Sequence, residues 1–211
     1  MTAGSSIHST LLGQGYVQTA QFGFEELIGA VRQGFAERNV YVSVYRGLLL
    51  LFFLFFLGLS TYYSYQGFLS FGTASLGFFG GLAITFLLIP LHELIHGLMF
   101  RYYGARQVRY GMVPRYLMFY AVAHLFVANY RQYRWIGLAP CVVISAGCLL
   151  SLIWLAPVWQ LVSLGTLFFH TFCCAGDFGL CSYMHSYRHR DILTFDDAEG
   201  KTTWFYCRAA Q

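Results

Sequence analysis

Residues 47–92, GLLLLFFLFFLGLSTYYSYQGFLSFGTASLGFFGGLAITFLLIPLH, contain no Asp, Glu, Lys or Arg. A membrane-spanning helix needs about 20 consecutive apolar residues. The run is therefore long enough for two spans and the turn between them. Residues 135–176 are also free of charge and have the same capacity. The pattern predicts four helices, over residues 46–63, 75–100, 135–156 and 158–184. The first turn is expected within 64–74 and the second at Ala156 and Pro157.

The rest of the composition agrees. The chain has 211 residues, 57% hydrophobic, 19% aromatic and 10% charged. A soluble domain carries about 25% charged residues, and a globule with so few could not cover its surface in water. A disordered chain, a nucleic-acid reader and a soluble enzyme are thereby excluded. The expected class is an all-α, multi-pass integral membrane protein with four transmembrane helices.

The basic residues orient it. Arg101, Arg106, Arg109, Arg115, Arg131 and Arg134 lie in the central connection, with no acid among them. Arg32, Arg38 and Arg46 lie before the first span, and Arg188, Arg190, Lys201 and Arg208 lie after the last. The positive-inside rule places both termini and the central connection in the cytoplasm. The net charge of +4 then reflects anchoring to anionic lipid headgroups. The lipid bilayer is the expected partner, and nucleic acid is not.

Three segments follow: a cytoplasmic or interfacial stretch over 1–44, a membrane domain over 45–187 and a cytoplasmic tail over 188–211. The first stretch lacks the apolar core of a cleavable signal. Its Phe24, Leu27, Ile28, Val31 and Phe35 have helical spacing, which predicts an interfacial amphipathic helix. In the tail, 192–195 and 202–206 flank a turn with Gly200, the pattern of a small hairpin. The six cysteines fall mostly in predicted spans and read as small buried hydrophobes, not as a disulfide framework.

Residues 116–130 are uncharged and too short to cross a bilayer as a helix. Their aromatic and β-branched content fits a re-entrant β-hairpin between the second and third spans, beside a cavity. An amphipathic surface helix fits them equally.

The chemistry concentrates at His92-Glu93-Leu94-Ile95-His96, an HExxH sequence. On a helix the two histidines share a face one turn apart. They can then reach one Zn²⁺, while Glu93 takes a proton from a water on the metal. A charged residue at membrane depth costs about 3 kcal/mol on insertion scales, so it is usually functional. Between Arg38 and Arg190 the only acids are Glu93 and Asp177, both within predicted spans. Counted from the cytoplasmic ends of their helices, His92, His96 and Asp177 stand at depths of roughly 8–16 Å. Asp177 is accordingly the leading third ligand. His170, His124 and the Cys173–Cys174 pair are alternatives, and a buried polar network of His, Glu and Asp is the non-metal reading.

HELIHG near the end of the second span, IGLAPCVVISAG at 136–147 and CAGD at 174–177 together resemble a known family. These are the small bacterial membrane proteins described as "putative zincin peptidases", once grouped only as a domain of unknown function. The likeness covers about residues 46–190. The layout is more remotely similar to site-2 proteases, intramembrane zinc metalloproteases, though no NPDG-type sequence surrounds Asp177. The resemblance implies His92, His96 and Asp177 as Zn²⁺ ligands and Glu93 as the acid/base. It also implies a membrane-embedded hairpin at 116–130 near the substrate.

The expected function is zinc-dependent peptide hydrolysis, acting on a membrane-associated protein or peptide. His124 and Asn129 are candidates for the oxyanion donor. A non-catalytic metal-binding membrane protein and a small transporter are the alternatives.

Overall fold

The computed structural model describes residues 3–116 and 118–209. The elements, in chain order, are α1 (Ala3–Gly13), β1 (Tyr16–Gly23), α2 (Ile28–Ala36), α3 (Val40–Tyr65), α4 (Phe71–Tyr102), β2 (Val108–Val113), β3 (Met118–Ala123), β4 (Ala128–Asn129), α5 (Tyr130–Ser151), α6 (Pro157–Cys173), α7 (Ala175–Ser186), β5 (Leu193–Asp197) and β6 (Thr202–Arg208). The chain divides into two compact units. One comprises Met1–Val42, Glu93–Ala139 and Gly176–Gln211; the other comprises Ser43–His92 and Pro140–Ala175.

The second unit is built from apolar helix. Helices α3, α4 and α5, with 26, 32 and 22 residues, are each long and apolar enough to cross a membrane. Their Leu- and Phe-rich sequences are apolar around most of the helix, so both inward and outward faces are hydrophobic. Inward, Phe52, Phe56, Phe78, Leu161, Leu164 and Leu167 form a shared core. Helices α4 and α6 touch backbone to backbone: a Cβ on Gly165 would lie 2.0 Å from the Phe78 carbonyl oxygen. Small residues permit such approach between helices in lipid. Outward, Leu76 and Leu87 are each 75% exposed and Trp154 77%. Among the described residues, this scale of apolar exposure is unlike a water-soluble monomer.

The first three predicted helices are present with shifted ends, and the fourth is changed. It is two helices, α6 and α7, meeting at a 45° bend. The break at Cys174 puts Asp177 in the first turn of α7. Exposed N–H groups and the helix dipole favour a carboxylate there.

The first unit overturns the all-α expectation. Strands β1, β6, β5 and β4 form a four-stranded antiparallel sheet in that order, and β2 and β3 form a separate hairpin. The predicted tail hairpin is present as β5 and β6, with Phe195 opposite Trp204. The N-terminal strand β1 adds to its edge, pairing Tyr16 with Arg208 and Gly23 with Thr202. Burying Phe205, Cys207 and Ile192 with Ala30, Tyr183 and Met184 gives this sheet a face against the helices. The helical spacing in the first stretch is realised only from Ile28 onward, in α2. Of the stretch 116–130, β3 is extended and pairs with β2, and Leu117 lies outside the described residues.

Candidate metal centre

Helix α4 runs without a break from Phe71 to Tyr102, so His92 and His96 stand one turn apart on one face. Glu93 follows His92 on the next helical position and is half-buried. His96 is 8% exposed.

The ring of His96 is fixed at both nitrogens. Its Nδ1 donates to the carbonyl oxygen of Ile136 at 2.8 Å. In a regular helix that carbonyl would accept from the N–H four residues on, but that residue is Pro140, which has no N–H. The proline thus leaves an acceptor open inside α5, and His96 uses it. With Nδ1 committed as donor, the neutral ring presents a lone pair at Nε2.

That Nε2 lies 3.2 Å from Oδ1 of Asp177, with the two side chains 10% and 20% exposed. A lone pair facing a carboxylate is repelled unless a cation lies between them or the ring takes a second proton. Two ligands on a tetrahedral Zn²⁺ at bond lengths of about 2.0–2.1 Å would themselves be roughly 3.3 Å apart. The spacing and the donor types therefore fit a divalent ion of zinc's size.

Asp177 is held by packing around α7. Helix α2 crosses it so closely that a Cβ on Gly34 would lie 1.9 Å from the Gly179 carbonyl oxygen. The Ser182 hydroxyl donates to the Gly34 carbonyl at 2.5 Å, and the Asn39 amide donates to Ser182 Oγ at 2.7 Å. On another side, Gly137 of α5 meets Cys181 of α7, whose Sγ would be 2.8 Å from a Cβ there. The N-terminal segment thus braces the helix that carries the carboxylate.

The β2–β3 hairpin also reaches this helix. The hydroxyl of Tyr110 in β2 sits where a Cβ of Gly97 would be, at 2.0 Å, and Gly97 directly follows His96. Gly97 makes room for the Tyr110 ring.

His92 belongs to the other unit and has its own partner there. Its Nδ1 lies 3.1 Å from Nε2 of His170 on α6. His170 Nδ1 is in turn 3.8 Å from Cys174 Sγ.

The two oxyanion candidates each also hold a structural contact. His124 Nδ1 accepts the N–H of Ala198 at 3.1 Å and lies 3.5 Å from Asp197 Oδ1, against the turn of the tail hairpin. Asn129 caps α5: its Oδ1 accepts from the Gln132 backbone N–H and its backbone N–H donates to Gln132 Oε1, both at 3.0 Å. This reciprocal pair satisfies donors at the helix start.

The sequence reading missed Ile136 with Pro140, Tyr110, and His170 as a partner of His92. A proline inside an apolar helix marks a free carbonyl four residues earlier, and that signal was available for Ile136. Nothing local in the sequence points to Tyr110.

The family described as "Putative zincin peptidase" matches residues 85–191. The chain belongs to this family. The matched span contains His92, Glu93, His96, His170 and Asp177. Comparison with curated proteins gives no match, and comparison with solved structures gives none. Membership in the zincin peptidases supports metallopeptidase activity and implies zinc.

Proposed function

We propose that this zincin peptidase is an integral membrane zinc metallopeptidase, with His92, His96 and Asp177 as ligands and Glu93 as the general acid/base. The observation that carries the reading is the contact of His96 Nε2 with Asp177 Oδ1 at 3.2 Å, one helical turn from His92. A structural histidine–carboxylate pair has no need of a second histidine and a glutamate in HExxH register.

Bound zinc would supply a water that ionises near neutral pH and a Lewis acid for the scissile carbonyl. The chain's own residues do the rest. The Ile136 carbonyl holds the His96 ring in the tautomer that directs a lone pair from Nε2. Glu93 takes the proton of the attacking water on its carboxylate and delivers one to the departing amine nitrogen. The β2–β3 hairpin, packed on Gly97 through Tyr110, supports a substrate held as an added strand, since an extended peptide exposes its amide to attack. His124, through Nε2–H, and Asn129, through its side-chain amide N–H, are the proposed donors toward the oxyanion.

The membrane-embedded domain proposed here spans residues 45–187, with both termini and the central connection on the cytoplasmic side. The substrate class is a membrane-associated protein or peptide, and the compartment a bacterial plasma membrane.

Metal analysis of the purified wild type and of Asp177→Ala tests the ligand set. One equivalent of zinc in the wild type and loss in the variant is the expected result. Equal zinc in both removes Asp177 from the site.

A further inference from the structure

We infer that His170 is a positioning residue for the metal site: it accepts the Nδ1 proton of His92 and so fixes the tautomer in which His92 Nε2 is a ligand. This rests on the ligand set proposed above.

The derivation starts from proton placement. If His92 binds a metal through Nε2, that nitrogen carries no proton, and the neutral ring keeps its proton on Nδ1. The atom 3.1 Å from Nδ1 is His170 Nε2, which must then be the acceptor. His170 in turn carries its own proton on Nδ1, toward Cys174 Sγ at 3.8 Å. Only one direction of donation along His92, His170 and Cys174 leaves His92 Nε2 open.

The same logic is visible at the other histidine. His96 has its Nδ1 proton taken by the Ile136 carbonyl at 2.8 Å. Both HExxH histidines therefore have a partner on the nitrogen away from the proposed ion. Partners of this kind fix ring orientation and raise ligand basicity.

His170 is 2% exposed and lies on α6. A histidine so buried in apolar surroundings costs free energy unless it is hydrogen-bonded.

The competing assignment makes His170 and Cys174 ligands themselves. His92, His170 and Cys174 each offer an atom within 4.8 Å of the others. The contacts argue against it. His170 meets His92 through Nε2 and Cys174 through Nδ1, on opposite sides of one ring. A ring in that position relays a hydrogen bond, whereas a shared ion would have to sit on one side of it.

The test uses the full-length protein in detergent and zinc titrated against a chromophoric chelator. The variants are His170→Leu, similar in bulk but with no acceptor, and His170→Gln, whose amide oxygen can stand where Nε2 stands. Asp177→Ala is the control on the ligand set. The expected result is a zinc Kd raised about 10–100-fold in His170→Leu, with one equivalent still bound at saturation, and a Kd close to wild type in His170→Gln. Cobalt-substituted wild type should show no thiolate-to-cobalt charge-transfer band.

An unchanged Kd in His170→Leu overturns the inference, as does equal weakening in both His170 variants. A charge-transfer band that disappears in Cys174→Ser overturns it in favour of direct ligation. If Asp177→Ala binds zinc as tightly as wild type, the ligand set itself fails, whatever the His170 variants do.

Discussion

His96 Nδ1 donates to the carbonyl oxygen of Ile136 at 2.8 Å, and that oxygen is open because Pro140 stands four residues further along the same helix. A helix defect in α5 is thereby turned into a fixed ring orientation on α4. In Pro140→Ala the restored N–H competes for the same carbonyl. The helix should gain stability, since proline in a helix interior costs about 3 kcal/mol relative to alanine. Zinc affinity should fall, by up to about tenfold, the low end for loss of such a partner. Chelator competition on the purified variant reads the affinity, and an unchanged Kd would show that the Pro140 gap has no bearing on the site.

Two glycines distinguish packing that holds the fold from packing that holds the hairpin. A Cβ at Gly34 would meet backbone, the Gly179 carbonyl at 1.9 Å, whereas at Gly97 it meets the end of the Tyr110 side chain. Backbone cannot move aside without shifting α7. Gly34→Ala should lower stability by roughly 1–3 kcal/mol, the usual cost of overpacking. Gly97→Ala should leave Tm nearly unchanged, because Tyr110 is half exposed and can rotate away. Thermal unfolding in detergent compares them, and equal Tm losses would contradict this division.

Asp196 in β5 gives the sheet a pH dependence. Burial raises its carboxyl from the usual 3.8 to about 6, partly offset by the Thr203 hydroxyl that donates to it. The folded state therefore holds this proton more tightly than the unfolded chain. Its contribution is fully present below pH 3.8 and is lost as pH rises through about 6, an effect on the order of 2–3 kcal/mol. Asp196→Asn should stabilise the protein at neutral pH and match wild type at acid pH. A stability difference that does not change with pH would exclude this origin.

The proposed topology predicts that the N terminus, the central connection and the C terminus share one side of the membrane. The turn between α3 and α4 should face the other side. Reporters fused at each position measure this directly. A reporter after the last helix that registers as external would refute the orientation drawn from the arginines.

Much of this arrangement could be read from residue spacing. The uncharged runs marked the apolar helices because a bilayer tolerates few charges, and HExxH marked the face of α4. Asp177 stood out as one of two acids between distant arginines. The break at Cys174 was not legible: residues 158–184 are apolar enough for one straight span. The sheet was legible only as its tail hairpin. Strand β1 pairs with β6 across almost the whole chain, and no local periodicity reports a partner that distant. His170 was visible as an alternative ligand, but its role depends on which ring nitrogen meets His92, which only three-dimensional placement shows.

The central claim is that Glu93 performs proton transfer for peptide hydrolysis at a metal held by His92, His96 and Asp177. Its most direct test is cleavage of a co-expressed membrane substrate by wild type and by Glu93→Gln, with zinc content measured on the same preparations. The account predicts one equivalent of zinc in both proteins and cleavage lowered by about 10²–10⁴-fold in the variant, the usual contribution of a general acid/base. Equal cleavage by wild type and Glu93→Gln would contradict it.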